Sequence, residues 1–180
     1  SIRLLARQKR NDEIDDTIRS LVQLLSFSID KKDDLITLEE EAACARAYVQ
    51  IAAIRNGKGL DLFIQIPQEL SEIKVPKLIL QPLIENSIFH GFAGASDGLI
   101  VVQAKVIDDK LQLSVRDNGQ GLPTQEFQKL VEGKQASDDE SPAFNSIGLH
   151  NVHERIRLLF GEPFGVVIPE QPAEGALIFI

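Results

Sequence analysis

The chain has 180 residues, 43% of them hydrophobic and 26% charged, an ordinary composition for one globular domain with an appendage. Lys and Arg number 19 against 27 Asp and Glu, and the net charge of −8 argues against nucleic acid or an anionic membrane surface as a main partner. A lone Cys44 excludes an internal disulfide and a cysteine metal cluster; with no run of transmembrane length and no signal-peptide pattern, the expectation is a cytosolic piece of a longer protein.

Residues 1–10 are basic through Arg3, Arg7, Lys9 and Arg10. From Asp12 to Asp30 the apolar residues Ile14, Ile18, Leu21, Leu25 and Ile29 fall close to helical spacing, which predicts a helix packed by that stripe against another helix. After a charged connector, Thr37 and Glu40 form a capping box. The helix it starts carries Leu38, Ala42, Ala45, Val49 and Ala52 on one narrow face and should stop near Arg55, before Asn56-Gly57. This first helical pair is expected to stand apart from the rest.

Alternation of Leu60, Leu62, Ile64 and Ile66 predicts a strand ended by Pro67. Val75 to Gly91 is predicted helical, with Leu78, Ile79, Leu83, Ile84, Ile88 and Phe89 apolar, its regular part starting near Pro82 and Gly91 following its end. Gly98 to Ile107 and Leu111 to Arg116 read as an antiparallel hairpin turning at Asp108-Asp109-Lys110. Residues 123–145 are polar and predict a lid, with a short helix around Glu126 to Val131. Ile147-Gly148-Leu149 opens a helix ending at Gly161, and 166–168 and 176–180 are closing strands. Helices separate from mostly antiparallel strands imply an α+β fold, one sheet under one helical layer.

Three patches carry chemistry. In Val115-Arg116-Asp117-Asn118-Gly119-Gln120-Gly121-Leu122, Asp117 shares a face with Leu111, Leu113 and Val115, so a carboxylate is placed at the strand end on the buried side, where it needs hydrogen-bond donors. Gly119 and Gly121 let the backbone turn and approach a ligand. Such a carboxylate can accept from the exocyclic amine of adenine; a turn-capping Asp is the plainer alternative. Asn86 and His90, four apart, share a helix face: the amide oxygen suits Mg²⁺ and the imidazole a phosphate oxygen, against a surface amide and a helix-end histidine. Ser146 to Leu149 enters a helix whose free N–H groups favour phosphate.

Asn-x-x-x-His, then Asp-x-Gly-x-Gly after a strand, then a lid and Ile-Gly-Leu opening a helix, resembles the Bergerat ATP-binding fold of histidine kinases, type II topoisomerase ATPases and Hsp90 chaperones. The stretch from Pro76 to Gly91, with Leu38 to Glu41, Tyr48 to Ile51, Arg55, Asn151 to Arg155 and Leu158 to Gly161, resembles LytS-like sensor histidine kinases over nearly the whole chain. The resemblance implies a two-layer sandwich over 35–180 that binds ATP and Mg²⁺, with 1–34 a partial dimerisation and phosphotransfer segment. It implies nucleotide contacts from Asn86 (also the metal ligand), His90, Asp117, Gly119, Gly121, Leu122, Ile147, Gly148 and Leu149. It further implies a histidine acceptor upstream, a response-regulator partner, a homodimer in the full-length protein, and a membrane anchor outside these residues. The chain departs from the family at Phe144 and Ser146, where glycines are expected, at Phe89, where many relatives carry Lys, and at Pro82, where hydrolysing relatives carry an acidic base; Glu85 is the acidic residue nearby. The missing glycines motivate an alternative, a degenerate pocket serving as a dimerising or docking module. An anti-sigma-type serine kinase on the same fold is a third reading, unsupported by the lead-in helices.

Overall fold

In the computed structural model of the chain, residues 6–29, 34–56, 59–92, 97–121, 146–169 and 175–180 are described. The predicted lid and its short helix, together with Leu122, lie outside them.

Helix α1 spans Asn11–Ile29, strand β1 Leu35–Thr37 and helix α2 Leu38–Asn56. The capping box forms: Thr37 N–H donates to Glu40 Oε2 at 2.7 Å, and Glu40 N–H to Thr37 Oγ1 at 3.1 Å. The predicted face of α2 is buried at all five positions. Strand β2 is Gly59–Gln65, β3 Lys74–Pro76, helix α3 Leu80–Asn86 with a π-helical continuation Ser87–Gly91, β4 Asp97–Ile107, β5 Lys110–Asp117, helix α4 Ser146–Phe160 and β6 Leu177–Phe179.

The main sheet runs β2-β4-β5-β6, with β2 parallel to β4 and the other neighbours antiparallel. Asp108 and Asp109 make the β4–β5 turn with φ of 49° and 58°, a left-handed pair that short polar side chains tolerate and that matches strand twist. Helices α2, α3 and α4 cover one face of the sheet. Leu38, Ala45, Val49 and Ala52 of α2, Leu83 and Ile84 of α3, and Leu149, Val152 and Ile156 of α4 share one core with Ile100, Val102, Leu113, Val115 and Ile178 of the strands.

Four expectations are corrected. Helix α2 does not stand apart with α1: it is a wall of the core, because its alanines let it lie close to the layer. The stripe on α1 is divided, with Ile14 and Leu21 half-buried and Ile18 and Leu25 exposed. Helix α1 packs on α2 with Thr17 and Ser20 buried, and Ser20 Oγ lies 2.9 Å from Gln50 Oε1. The stretch predicted helical from Val75 starts as β3, antiparallel to β1 in a second small sheet, and turns helical only at Leu80. Pro82 then sits in the first turn, where no intrahelical donor is missed. Of residues 166–168, only Val167 bridges, to Phe179.

Candidate functional site

Alternation along β5 brings Asp117 to the core face at its last residue, 5% exposed. Burial of a carboxylate demands donors. Ser87 Oγ donates to Oδ2 at 2.7 Å, and the Gly119 and Ala176 N–H groups donate to Oδ1 at 2.9 and 3.1 Å. The two oxygens offer about four acceptor positions, and these bonds leave one on Oδ2.

The backbone around this carboxylate is tight. Ser87–Gly91 is wound as a π-turn, with Phe92 N–H reaching Ser87 O at 3.1 Å. Wide turns of this kind commonly mark functional sites. It presses Gly91 against the strand end: a Cβ there would lie 3.2 Å from Asp117 Oδ1, and a Cβ on Gly119 would collide with the Gly91 backbone. Gly91 is therefore needed for close approach and closes the π-turn, where the sequence suggested a residue following the helix end. Gln120 N–H donates to Gly91 O at 2.9 Å and Asn118 N–H to Leu99 O at 3.2 Å, which pins the loop on both sides. Gly121 has φ +84° and Gly175 φ +75°, backbone that a side chain would strain, and a Cβ on Gly175 would collide with the Asp117 carbonyl.

One turn before the π-turn's end, Asn86 is 2% exposed, and neither its amide nitrogen nor its oxygen has a hydrogen-bond partner. The surface-amide alternative is thus excluded. A buried amide with both ends unpaired costs on the order of 1–3 kcal/mol, a debt that an incoming ion or water can relieve. Its oxygen is a hard donor and fits Mg²⁺, which accepts few protein groups and keeps waters and phosphate oxygens. No cluster of three or more His, Cys, Asp or Glu suited to a metal occurs among the described residues.

Glu85 bonds to Gln81 Nε2 at 2.9 Å. Burial, and next the Glu85 carboxylate, push the Tyr48 hydroxyl up to about 12. Arg55 lies over the Phe89 ring, 5.2 Å from its centre. Gly148 and Leu149 fall in the first turn of α4. Leu149 is wholly buried in the core, so a nucleotide role falls to its main-chain N–H, and a Cβ on Gly148 would lie 3.2 Å from Pro82 Cβ. Ile147 belongs to the same turn, and its side chain, like that of His90, lies outside the described residues.

Ser87, Gly91, Gly175 and Ala176 were not found from sequence. Ser87 adjoins Asn86 and could have been suspected as a donor; Gly175 carries only the weak signal of a glycine before an apolar strand.

A two-layer sandwich with an acidic residue at a strand end, enclosed by backbone that only glycine permits, defines a class of nucleotide-binding domain. Residues 72–180 match the family profile described as histidine kinase-, DNA gyrase B- and HSP90-like ATPase, and the chain belongs to that family, which implies ATP as its nucleotide. Residues 1–60 match a profile described as histidine kinase, and the relatives are sensor histidine kinases, LytS among them. The chain is 34% identical to the sensor histidine kinase YesM of Bacillus subtilis over all of its own length and 29% of YesM, and 30% identical to the sensor protein LytS of Oceanobacillus iheyensis over 72% of the chain and 22% of LytS. It therefore spans less than a third of the length of these curated relatives. The histidine kinase domain of the blue-light activated EL346 kinase of Erythrobacter litoralis superposes with a TM-score of 0.53 over 99% of this chain and 81% of that one, at 14% identity, a likeness of fold.

Proposed function

We propose that residues 35–180 are the ATP-binding catalytic domain of a two-component sensor histidine kinase, and that 1–34 contribute to its dimerisation and phosphotransfer helices. The whole protein would move the γ-phosphate of ATP to a histidine upstream of these residues and then to an aspartate of a response regulator, acting as a homodimer on the cytoplasmic side of a membrane. The carrying observation is Asp117: it is buried, tied by three donors, and keeps one acceptor position in a glycine-tight rim, which suits the exocyclic amine of adenine.

Asn86 would hold Mg²⁺, and a bound Mg²⁺ supplies neutralisation of phosphate charge. The first-turn N–H groups of α4, at Ile147, Gly148 and Leu149, would face phosphate oxygens, and His90 would lie beside them. Gly119, Gly121 and Leu122 would border the base. What this chain contributes is position, which together with electrostatic stabilisation dominates phosphoryl transfer. The acceptor position on Oδ2 gives no pairing to guanine at the same place, so base selectivity belongs to Asp117.

The test is calorimetric titration of the chain with Mg·ATP and Mg·GTP. Binding of Mg·ATP, with Mg·GTP weaker by about tenfold or more, is expected from a lost buried hydrogen bond. Absence of Mg·ATP binding favours the docking-module alternative, for which the departures at Phe144 and Ser146 are the motive.

A further inference from the structure

Helix α3 begins without a side-chain cap of its own. Ile79 occupies the N-cap position, and Leu78 before it sits at φ 57°, left-handed backbone in which leucine is strained. The free N–H groups of this turn are met from another helix. Glu41 of α2, 1% exposed, accepts from Ile79 and Leu80 N–H on Oε1 at 2.7 and 2.8 Å, and from Leu78 N–H on Oε2 at 2.8 Å. A negative group at a helix N-terminus is also favoured by the helix dipole. From the other side Arg155 of α4 donates Nη2 to the Leu78 carbonyl at 3.0 Å. The turn is therefore gripped from both neighbouring helices, at its N–H groups by one and at its carbonyl by the other. Burial pushes the Glu41 carboxyl upward, against the pull of the three N–H groups and the Arg155 charge.

Six residues beyond Leu80, about 9 Å along a helix axis, lies Asn86, followed by Ser87, which holds Asp117. A helix transmits a displacement of its first turn along its length, so the grip on Leu78–Leu80 fixes where these two side chains stand.

We propose that Glu41, with Arg155, is a positioning residue for the nucleotide site: by holding the Leu78–Leu80 turn it sets α3 so that Asn86 and Ser87 meet the nucleotide. This rests on the nucleotide reading given above. Neither side chain is among those assigned to the nucleotide above; both hold the first turn of α3 and act through it.

The experiment compares the wild-type chain with Glu41→Gln, Arg155→Lys and a control, Val102→Ala, which opens the core but removes none of the hydrogen bonds that hold the turn. Calorimetric titration with Mg·ATP is done well below every melting temperature, beside amide exchange without nucleotide. In Glu41→Gln one acceptor oxygen becomes a donor facing a donor. Its Kd for Mg·ATP rises about tenfold or more, as for lost outer contacts of a metal ligand, while Val102→Ala stays within about twofold of wild type despite a lower melting temperature. Exchange at Leu78–Leu80 and at Asn86 and Ser87 quickens in Glu41→Gln, and Arg155→Lys shows the same effects more weakly. Wild-type affinity in Glu41→Gln, or an equal loss in Val102→Ala, overturns the proposal. A wild-type chain that does not bind Mg·ATP removes the nucleotide reading and this proposal together. If neither Glu41→Gln nor Arg155→Lys folds, the wild type decides: Mg·ATP slows exchange at Leu78–Leu80, and unchanged exchange there overturns the proposal.

Discussion

Replacing Asp117 by Asn changes the chemistry of one atom and almost none of its shape. In the wild type Oδ1 accepts from Gly119 and Ala176 N–H, and Oδ2 accepts from Ser87 Oγ and keeps one position for an amine. In Asp117→Asn the amide oxygen retains both backbone bonds, and the amide nitrogen donates to Ser87 Oγ, whose hydroxyl can reverse its role. Three charge-assisted bonds become neutral ones at roughly 1 kcal/mol each, offset in part because an uncharged amide is cheaper to bury than a carboxylate, so the fold loses about 2 kcal/mol. For a chain of this size that lowers the melting temperature by about 4–8 °C. Nucleotide binding suffers more. The free acceptor becomes a donor and would face the amine of adenine, donor against donor, costing about 3 kcal/mol, or about a hundredfold in Kd. Thermal melts and calorimetric titration with Mg·ATP measure the two effects separately. An Asp117→Asn variant that binds Mg·ATP within about threefold of wild type would refute the assignment, since about 0.6 kcal/mol is too little for a lost buried acceptor.

Gly119→Ala drives a methyl into the Gly91 backbone and costs about 1–3 kcal/mol, read as a lower urea midpoint with unchanged slope; an unaltered midpoint means the two loops do not touch. Thr37→Ala removes the side-chain half of the capping box and lowers stability by about 1 kcal/mol in a thermal melt. The same box gives a pH signature. The Thr37 N–H and then its hydroxyl hold the Glu40 carboxyl below its ordinary 4.5. That stabilisation is present above 4.5 and lost as pH falls through the lowered folded value, so the acid-side loss is smaller in Thr37→Ala than in wild type; equal slopes would rule out the contribution. Burial, with Glu41 and Glu40 adding, pushes the Cys44 thiol up to about 12. At pH 8 roughly one molecule in 10⁴ carries the thiolate, so a disulfide-exchange reagent labels the folded chain far more slowly than the chain in guanidinium, and fast labelling of the folded chain would contradict the burial.

What the residues determined by themselves is what repeats within one segment. The two-residue period of Leu111, Leu113 and Val115 assigned Asp117 to the buried face, and helical spacing assigned the face of α2, because side-chain direction in a regular element follows from position alone. Thr37 and Glu40 marked a helix start because their bonds span three residues. The tertiary structure decided everything that depends on a distant partner. Pairing of β1 with β3 turned Val75 and Pro76 from helix to strand. Glu41 caps a helix that begins 39 residues later, a partnership no local pattern encodes. Periodicity identified a stripe on α1 for packing against another helix, yet the folded chain left Ile18 and Leu25 of it exposed and buried Thr17 and Ser20. The π-turn at Ser87–Gly91 arises where Ser87 reaches Asp117 and Gly91 meets Gly119, contacts made only once helix and strand end are side by side. A local period fixes which way a side chain points, whereas only the folded chain fixes what it points at.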